Sequence, residues 1–92
     1  MNKTEATIKF APEDESALSL DQEVTYGEGD LEARGVISEL SGTTEEEPWV
    51  QATALFSGAD GHKLRLGGSV TANGAPGKIA MLLKMCDGNH EE

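Results

Sequence analysis

The stretch WVQATALFS, residues 49–57, alternates along its length and places four apolar side chains on one face: Val50, Ala52, Ala54 and Phe56. This two-residue period is typical of a half-buried β-strand. The glycine-containing residues 58–61 predict a turn, and residues 63–70 alternate again, with a bulge expected at Gly67–Gly68. An Asn-Gly pair opens residues 73–77 and predicts a second turn. We therefore expect a β-meander in the second half of the chain.

The segment KIAMLLKMC, residues 78–86, fits two structures equally well. As a strand it would place Ile79, Met81, Leu83 and Met85 on one face. As a helix it would align Ile79, Leu82, Leu83 and Cys86. The composition favours a helix, whereas the turn before it favours a strand, which we adopt as the prediction.

The first half of the chain is less regular but also predicts short strands. The expected elements, in order, are a strand over residues 4–10 ended by Pro12, a helical turn over 13–18, a strand over 18–26, a turn at 27–29, a strand over 31–37 and an acidic loop over 41–48. Acidic residues at 13–15 suit the first turn of a helix.

The fold class predicted from these elements is mainly β. Five to six short strands at roughly ten-residue spacing are typical of a small antiparallel sheet or a partly open barrel, here with one short helix. The length of 92 residues predicts one domain. The predicted core comprises Ile8, Phe10, Leu20, Val24, Leu31, Val36, Trp49, Val50, Leu55, Phe56, Leu64, Leu66, Val70, Ile79, Leu82 and Leu83.

Charge divides the chain into two unlike halves. The whole sequence has 7 Lys and Arg against 17 Asp and Glu, a net charge of −10. Residues 1–47 contain 13 acidic and three basic side chains, whereas residues 48–92 contain four of each and are neutral. A general nucleic-acid binder would need clustered basic residues, so we expect no binding to free DNA.

Few residues suit catalysis or metal binding. Cys86, His62 and His90 are the candidates, but their spacing matches no nucleophile–base arrangement. A Cys–His pair formed only in the folded chain stays open as an alternative. Residues 87–90 are too short for a calcium loop, and no zinc spacing is present. We expect a protein that is not an enzyme and has no cofactor or metal.

No segment predicts a membrane span or a signal peptide. The longest apolar runs are far shorter than the 18 or more residues of a transmembrane helix. Residues 1–10 lack the apolar region of a signal peptide. The expected location is therefore the cytoplasm.

The acidic runs are the candidate binding site. A concentrated negative field steers encounter with a basic partner and can raise the association rate by about 10–10³-fold. The candidate partner-binding residues are Glu13, Asp14 and Glu15; Glu28, Asp30 and Glu32; and Glu45, Glu46 and Glu47. Alternation predicts the middle three on one strand face. Lys63 and Arg65 are predicted to share a strand face as a candidate RNA contact.

The chain has three acidic runs: EDE (13–15), GEGDLE (27–32) and TTEEEP (43–48). With these runs it resembles the small acidic inhibitors that bacteriophages make against CRISPR surveillance complexes, in particular the type I-F branch. The resemblance implies a viral protein of host-defence evasion that acts in the cytoplasm of the bacterial cell. It implies stoichiometric binding that blocks target-DNA hybridisation or nuclease recruitment. Such inhibitors share no common fold, so no site residues are carried over.

Three functional hypotheses follow, the third being a small enzyme or metal-binding domain that uses Cys86, His62 or His90. The first is a non-enzymatic phage inhibitor, a nucleic-acid mimic that binds an RNA-guided surveillance complex through its acidic surface and also contacts the guide RNA. The second is a phage structural or assembly accessory protein, since small β-rich acidic domains suit that role as well.

Overall fold

The computed structural model describes residues 3–28, 31–64 and 68–85 and consists mainly of six β-strands. The strands are β1 (Lys3–Phe10), β2 (Glu23–Glu28), β3 (Leu31–Ser41), β4 (Val50–Ser57), β5 (Ser69–Ala72) and β6 (Ala75–Met85). A 3-10 helix, Pro12–Ala17, follows β1, and a single helical turn, α1 (Gly58–Gly61), follows β4.

The six strands form a closed antiparallel barrel in the order β1-β4-β3-β2-β5-β6, with β6 pairing back onto β1. The mainly-β prediction is confirmed, and the barrel is closed rather than partly open. Within the predicted meander of residues 48–92, the β5–β6 hairpin is confirmed, but the pairing of the meander's first strand is wrong, because β4 pairs with β1 and β3 and not with β5. Strands of the acidic and the neutral half therefore pair with each other around the barrel.

Small side chains occupy much of the narrow interior. The buried residues besides Phe10 and Phe56 include Ala6, Ile8, Val24, Ala33, Ile37, Val50, Ala52, Ala54, Val70, Ala72 and Ile79. Each phenylalanine lies opposite a glycine of the adjacent strand: Phe56 pairs with Gly35, and Phe10 with Gly77. A Cβ at Gly35 would lie 2.8 Å from the Phe56 ring, and one at Gly77 would lie 2.5 Å from the Phe10 ring. Alternation of large and small residues lets a small barrel fill its interior without voids.

Bulges change which residues of β3 and β6 point inward. The pairing of β3 with β4 shifts between Ile37 and Glu39. The pairing of β6 with β1 shifts twice, between Ile79 and Met81 and again between Leu82 and Lys84. A bulge inserts one extra residue and so reverses the alternation beyond it. The predicted inward face of β6 is therefore wrong at Met81, which is 51% exposed, while Leu82 packs against the core.

Three predicted core residues are exposed: Leu20, Val36 and Trp49. Leu20 lies in a turn before β2, Val36 points outward from β3 because Ile37 faces the interior, and Trp49 precedes β4. Predicted core positions 31, 66 and 83 lie outside the side chains that the structure describes. Leu55 is only half-buried, on the outer side of β4.

The bounds of four predicted elements differ from those in the structure. Segment 78–86 is a strand as far as Met85, which settles the choice between strand and helix. The predicted strand over 63–70 is wrong at Lys63 and Leu64, which follow α1 in a turn; positions 65–67 lie outside the described residues. The predicted strand over 18–26 begins only at Glu23, because Asp21 adopts a left-handed backbone with φ of 68°. The second turn is only Asn73-Gly74, and residues 75–77 already belong to β6.

We expect Gly35→Ala to lower the free energy of unfolding by about 1–3 kcal/mol, the usual cost of overpacking a core. The added Cβ would meet both the Phe56 ring and the Leu55 backbone oxygen at 2.9 Å or less, and the backbone cannot rotate away. Urea unfolding measures the change. Gly42→Ala is the control, because its Cβ would meet only the Glu15 carboxylate at 4.0 Å. Equal stability of the two variants would contradict the packing argument.

Candidate functional site

Two acidic segments that are distant in the sequence lie at the same end of the barrel. Strand β1 ends where β4 begins, with Phe10 opposite Val50, and β3 ends beside them with Ser41 opposite Gln51. The 3-10 helix Pro12–Ala17 therefore emerges next to the loop of residues 42–49. We call this helix and this loop together the acidic end.

The 3-10 helix begins at Pro12, whose ring fixes φ and whose lack of an N–H is tolerated in the first turn of a helix. Backbone hydrogen bonds from Asp14 N to Ala11 O and from Leu18 N to Glu15 O set its two ends. Leu18 is buried, whereas the Glu13 and Glu15 side chains are exposed and Asp14 is half-buried. The helix therefore presents carboxylates to solvent above an apolar anchor.

The loop of residues 42–49 contains a tight turn that presents the second acidic run. Thr44 N donates to Glu47 O, and Glu47 N donates to the Thr44 hydroxyl, both at 2.9 Å. Glu45 and Glu46 lie at the tip of this turn and are exposed. Glu47 instead forms an ion pair with Lys9 of β1 at 3.1 Å. That pair ties the loop to the barrel wall and leaves Glu45 and Glu46 facing solvent.

A small groove separates the helix from the loop. It has a volume of about 250 Å³ and is lined by Glu15, Leu18, Leu40, Ser41, Gly42 and Val50. Gly42 faces the Glu15 carboxylate across it, since a Cβ on Gly42 would lie 4.0 Å from Glu15 Oε2. The acidic end therefore combines carboxylates with a concave, partly apolar surface.

The third acidic group lies at the opposite end of the barrel. The prediction of one shared strand face is wrong, because Glu28 ends β2 and Glu32 lies in β3, on either side of the connection between them. Gly27, with a φ of 138° that favours glycine, lies in β2 just before this connection. Glu32 is exposed, the Glu28 side chain is outside those that the structure describes, and Asp30 is outside the described residues. The structure thus groups Glu13–Glu15 with Glu45–Glu47 and separates Glu32 from both.

The predicted basic strand face does not form at Lys63. This residue lies in the turn after α1, where its Nζ donates to Glu32 O at 3.0 Å and lies 3.8 Å from the Asp60 carboxylate. Asp60 also accepts a hydrogen bond from Arg34 N of β3. Lys63 thus fastens the α1 connection to β3, while Arg65 lies outside the described residues.

Of the three residues weighed for catalysis, only His62 lies in the described part of the chain. His62 is an exposed residue at the end of α1, and Cys86 and His90 fall outside the described residues. Among residues 3–28, 31–64 and 68–85, no group of three or more His, Cys, Asp or Glu side chains is placed to hold a metal ion. No helix within those ranges is long and apolar enough to cross a membrane.

Sequence reasoning missed the groove and the exposure of Trp49. Leu40 lies near the end of β3, and Gly42 directly follows that strand. The bulge before Leu40 turns its side chain toward the groove that Leu18 and Val50 also line. A bulge has no reliable pattern in a single sequence. The place of Trp49 at the end of an acidic loop was a usable signal, because connecting segments run over the protein surface.

Comparison of the chain with protein-family models, with curated proteins and with solved structures gives no significant match.

We expect Glu47→Gln to lower the free energy of unfolding by no more than about 1 kcal/mol, because both partners of the Lys9–Glu47 pair are over one-third exposed. The loss will shrink further near 1 M salt, where the Debye length is about 3 Å. Urea unfolding at low and high salt measures both effects. A loss well above that limit, unchanged by salt, would mean that Glu47 holds the loop by something other than this ion pair.

Proposed function

We propose that this protein is a non-enzymatic inhibitor that binds a basic, nucleic-acid-binding surface of another protein through its acidic end. The observation that carries the proposal is the convergence of Glu13–Glu15 and Glu45–Glu47 at one end of the barrel. In the sequence these runs are separated by two strands and two turns. A folded chain that brings them together presents a far denser negative field than either run alone.

The electrostatics of this end favour long-range attraction rather than strong single contacts. Two unit charges 4 Å apart in water interact by only about 1 kcal/mol. Among the described residues, Glu13, Glu15, Glu45 and Glu46 have no ion-pair partner, so their field is not neutralised within the protein. Several such carboxylates together raise the encounter rate with a basic surface and lose this advantage in high salt.

The barrel supports the acidic end as a pre-organised surface. The ends of β1, β3 and β4 hold the helix and the loop, and Leu18 anchors the helix to the core. A surface fixed before binding avoids the cost of ordering flexible loops on association. This support by the barrel favours a binding role for the acidic residues over a purely solubilising one.

The proposed partner is a protein complex that normally holds DNA or RNA in a basic groove. A CRISPR RNA-guided surveillance complex in the host bacterial cell is the partner implied by the resemblance, with target-DNA binding as the blocked step. In this proposal the carboxylates take the positions of nucleic-acid phosphates. A guide-RNA contact by Lys63 is not part of it, since Lys63 binds within the protein; a contact by Arg65 stays a prediction.

We expect the triple variant Glu13→Lys, Asp14→Lys, Glu15→Lys to associate with a purified type I-F surveillance complex at least about tenfold more slowly than the natural protein. Surface plasmon resonance measures the rates, and a target-DNA binding assay measures inhibition.

The single variants Glu46→Lys and Glu32→Lys form a matched pair. Each reverses the charge of one exposed carboxylate, and the two carboxylates lie at opposite ends of the barrel. Glu46→Lys should slow association more than Glu32→Lys.

Two results would contradict the proposal. One is unchanged binding and inhibition in the triple variant, provided that its circular dichroism spectrum matches that of the natural protein. The other is no measurable association of the natural protein with the complex at about 0.01 M salt, where screening is weakest. Co-purification with phage particles or concentration-dependent self-association would instead favour the structural or assembly role.

A further inference from the structure

We propose that the groove at the acidic end receives one arginine side chain of the basic partner. The inference rests on the proposed function and names the chemical group that the acidic end recognises. The groove lies between the 3-10 helix and the Ser41-Gly42 backbone, within the surface formed by Glu13–Glu15 and Glu45–Glu47.

The floor of the groove suits an aliphatic stem. Leu18, Leu40 and Val50 line it: Leu18 and Val50 are buried in the core, and the half-buried Leu40 is the most exposed of the three. Long basic side chains pack their methylene groups against such apolar surface while the charged head stays at its rim.

The rim of the groove suits a cationic head. Glu15 lines it, its carboxylate is exposed, and within the described residues it has neither an ion pair nor a side-chain hydrogen bond. Gly42 stands opposite and contributes no side chain, and a Cβ there would come within 4.0 Å of Glu15 Oε2. A carboxylate beside an apolar floor is the complement of a long basic side chain.

The size of the groove favours a side chain over a small-molecule ligand. Its volume of about 250 Å³ is below the range of about 300–1,000 Å³ that is typical of ligand pockets. Arginine suits it better than lysine, because the guanidinium is planar, more weakly hydrated, and able to give two parallel hydrogen bonds to one carboxylate.

The probe for this inference is N-acetyl-arginine amide, with N-acetyl-citrulline amide as a neutral control of the same shape. We expect amide chemical-shift changes at Leu18, Ser41, Gly42 and Val50 that saturate with the arginine compound and not with the citrulline compound. Trp49, the single tryptophan of the chain, directly precedes Val50 and gives a second readout by fluorescence.

Two pairs of variants separate the groove from the general negative field. Glu15→Gln should weaken binding of the arginine probe about tenfold, the loss expected for one charge-assisted hydrogen bond. Glu39→Gln removes an equal charge from the exposed side of β3 nearby and should leave the probe affinity within about twofold. Gly42→Leu should block the groove, whereas Gly42→Ala should still admit the probe, since its Cβ only touches Glu15.

The inference is overturned if the citrulline compound binds as well as the arginine compound, if Glu39→Gln weakens binding of the arginine probe as much as Glu15→Gln does, or if Gly42→Leu binds the probe normally.

The failure of this inference is distinguishable from the failure of the proposed function. Should Gly42→Leu and Glu15→Gln inhibit the surveillance complex like the natural protein while the triple Lys variant does not, the groove is unused and the acidic end still binds. Loss of complex binding in Gly42→Leu but not in Gly42→Ala supports both.

Discussion

The packing of two phenylalanine rings against glycines of neighbouring strands is the interaction on which the rest of this barrel depends. A barrel of about eight strands is only just wide enough to be filled by side chains, so six strands leave still less space. Phe56 and Phe10 fit because Gly35 and Gly77 have no side chain at the positions where the rings lie. The buried alanines around the two rings have small side chains, so the rest of the interior also fits within six strands. Because the two rings bridge β3–β4 and β6–β1, they join strands from both halves of the sequence.

Closure of the barrel also explains the location of the acidic end. In an antiparallel barrel, alternate connections emerge at opposite ends, and their position follows from the strand order. The order β1-β4-β3 brings the end of β1 and the β3–β4 loop together at one rim. Two acidic runs that repel each other are held side by side because the free energy of packing the core exceeds that of their repulsion, which is weak in water. The surface that we propose for binding is therefore a consequence of topology.

Much of the fold could be predicted from the sequence, because most strands expose one face and bury the other. The alternation in β4 and β1 placed Val50, Phe56, Ile8 and Phe10 correctly in the interior. The same rule failed at Met81, where a bulge reverses the faces of β6, and at Leu20, where the chain turns at a left-handed Asp21. At Met81 an inserted residue moves the hydrophobic pattern to the other side of the sheet, whereas at Leu20 a turn takes the pattern out of the sheet altogether.

For the candidate site, the sequence identified the acidic runs but could not say which of them meet. Charge excess, the mainly-β class and the turn at Asn73-Gly74 are local properties, fixed by composition, alternation and backbone preference, and the sequence by itself determined them. Which strands pair, which carboxylates share an end, and the groove between Glu15 and Gly42 were decided only by the tertiary structure. The reason is that antiparallel pairing of strands far apart in the chain depends on how the whole interior packs, and no single stretch carries that information.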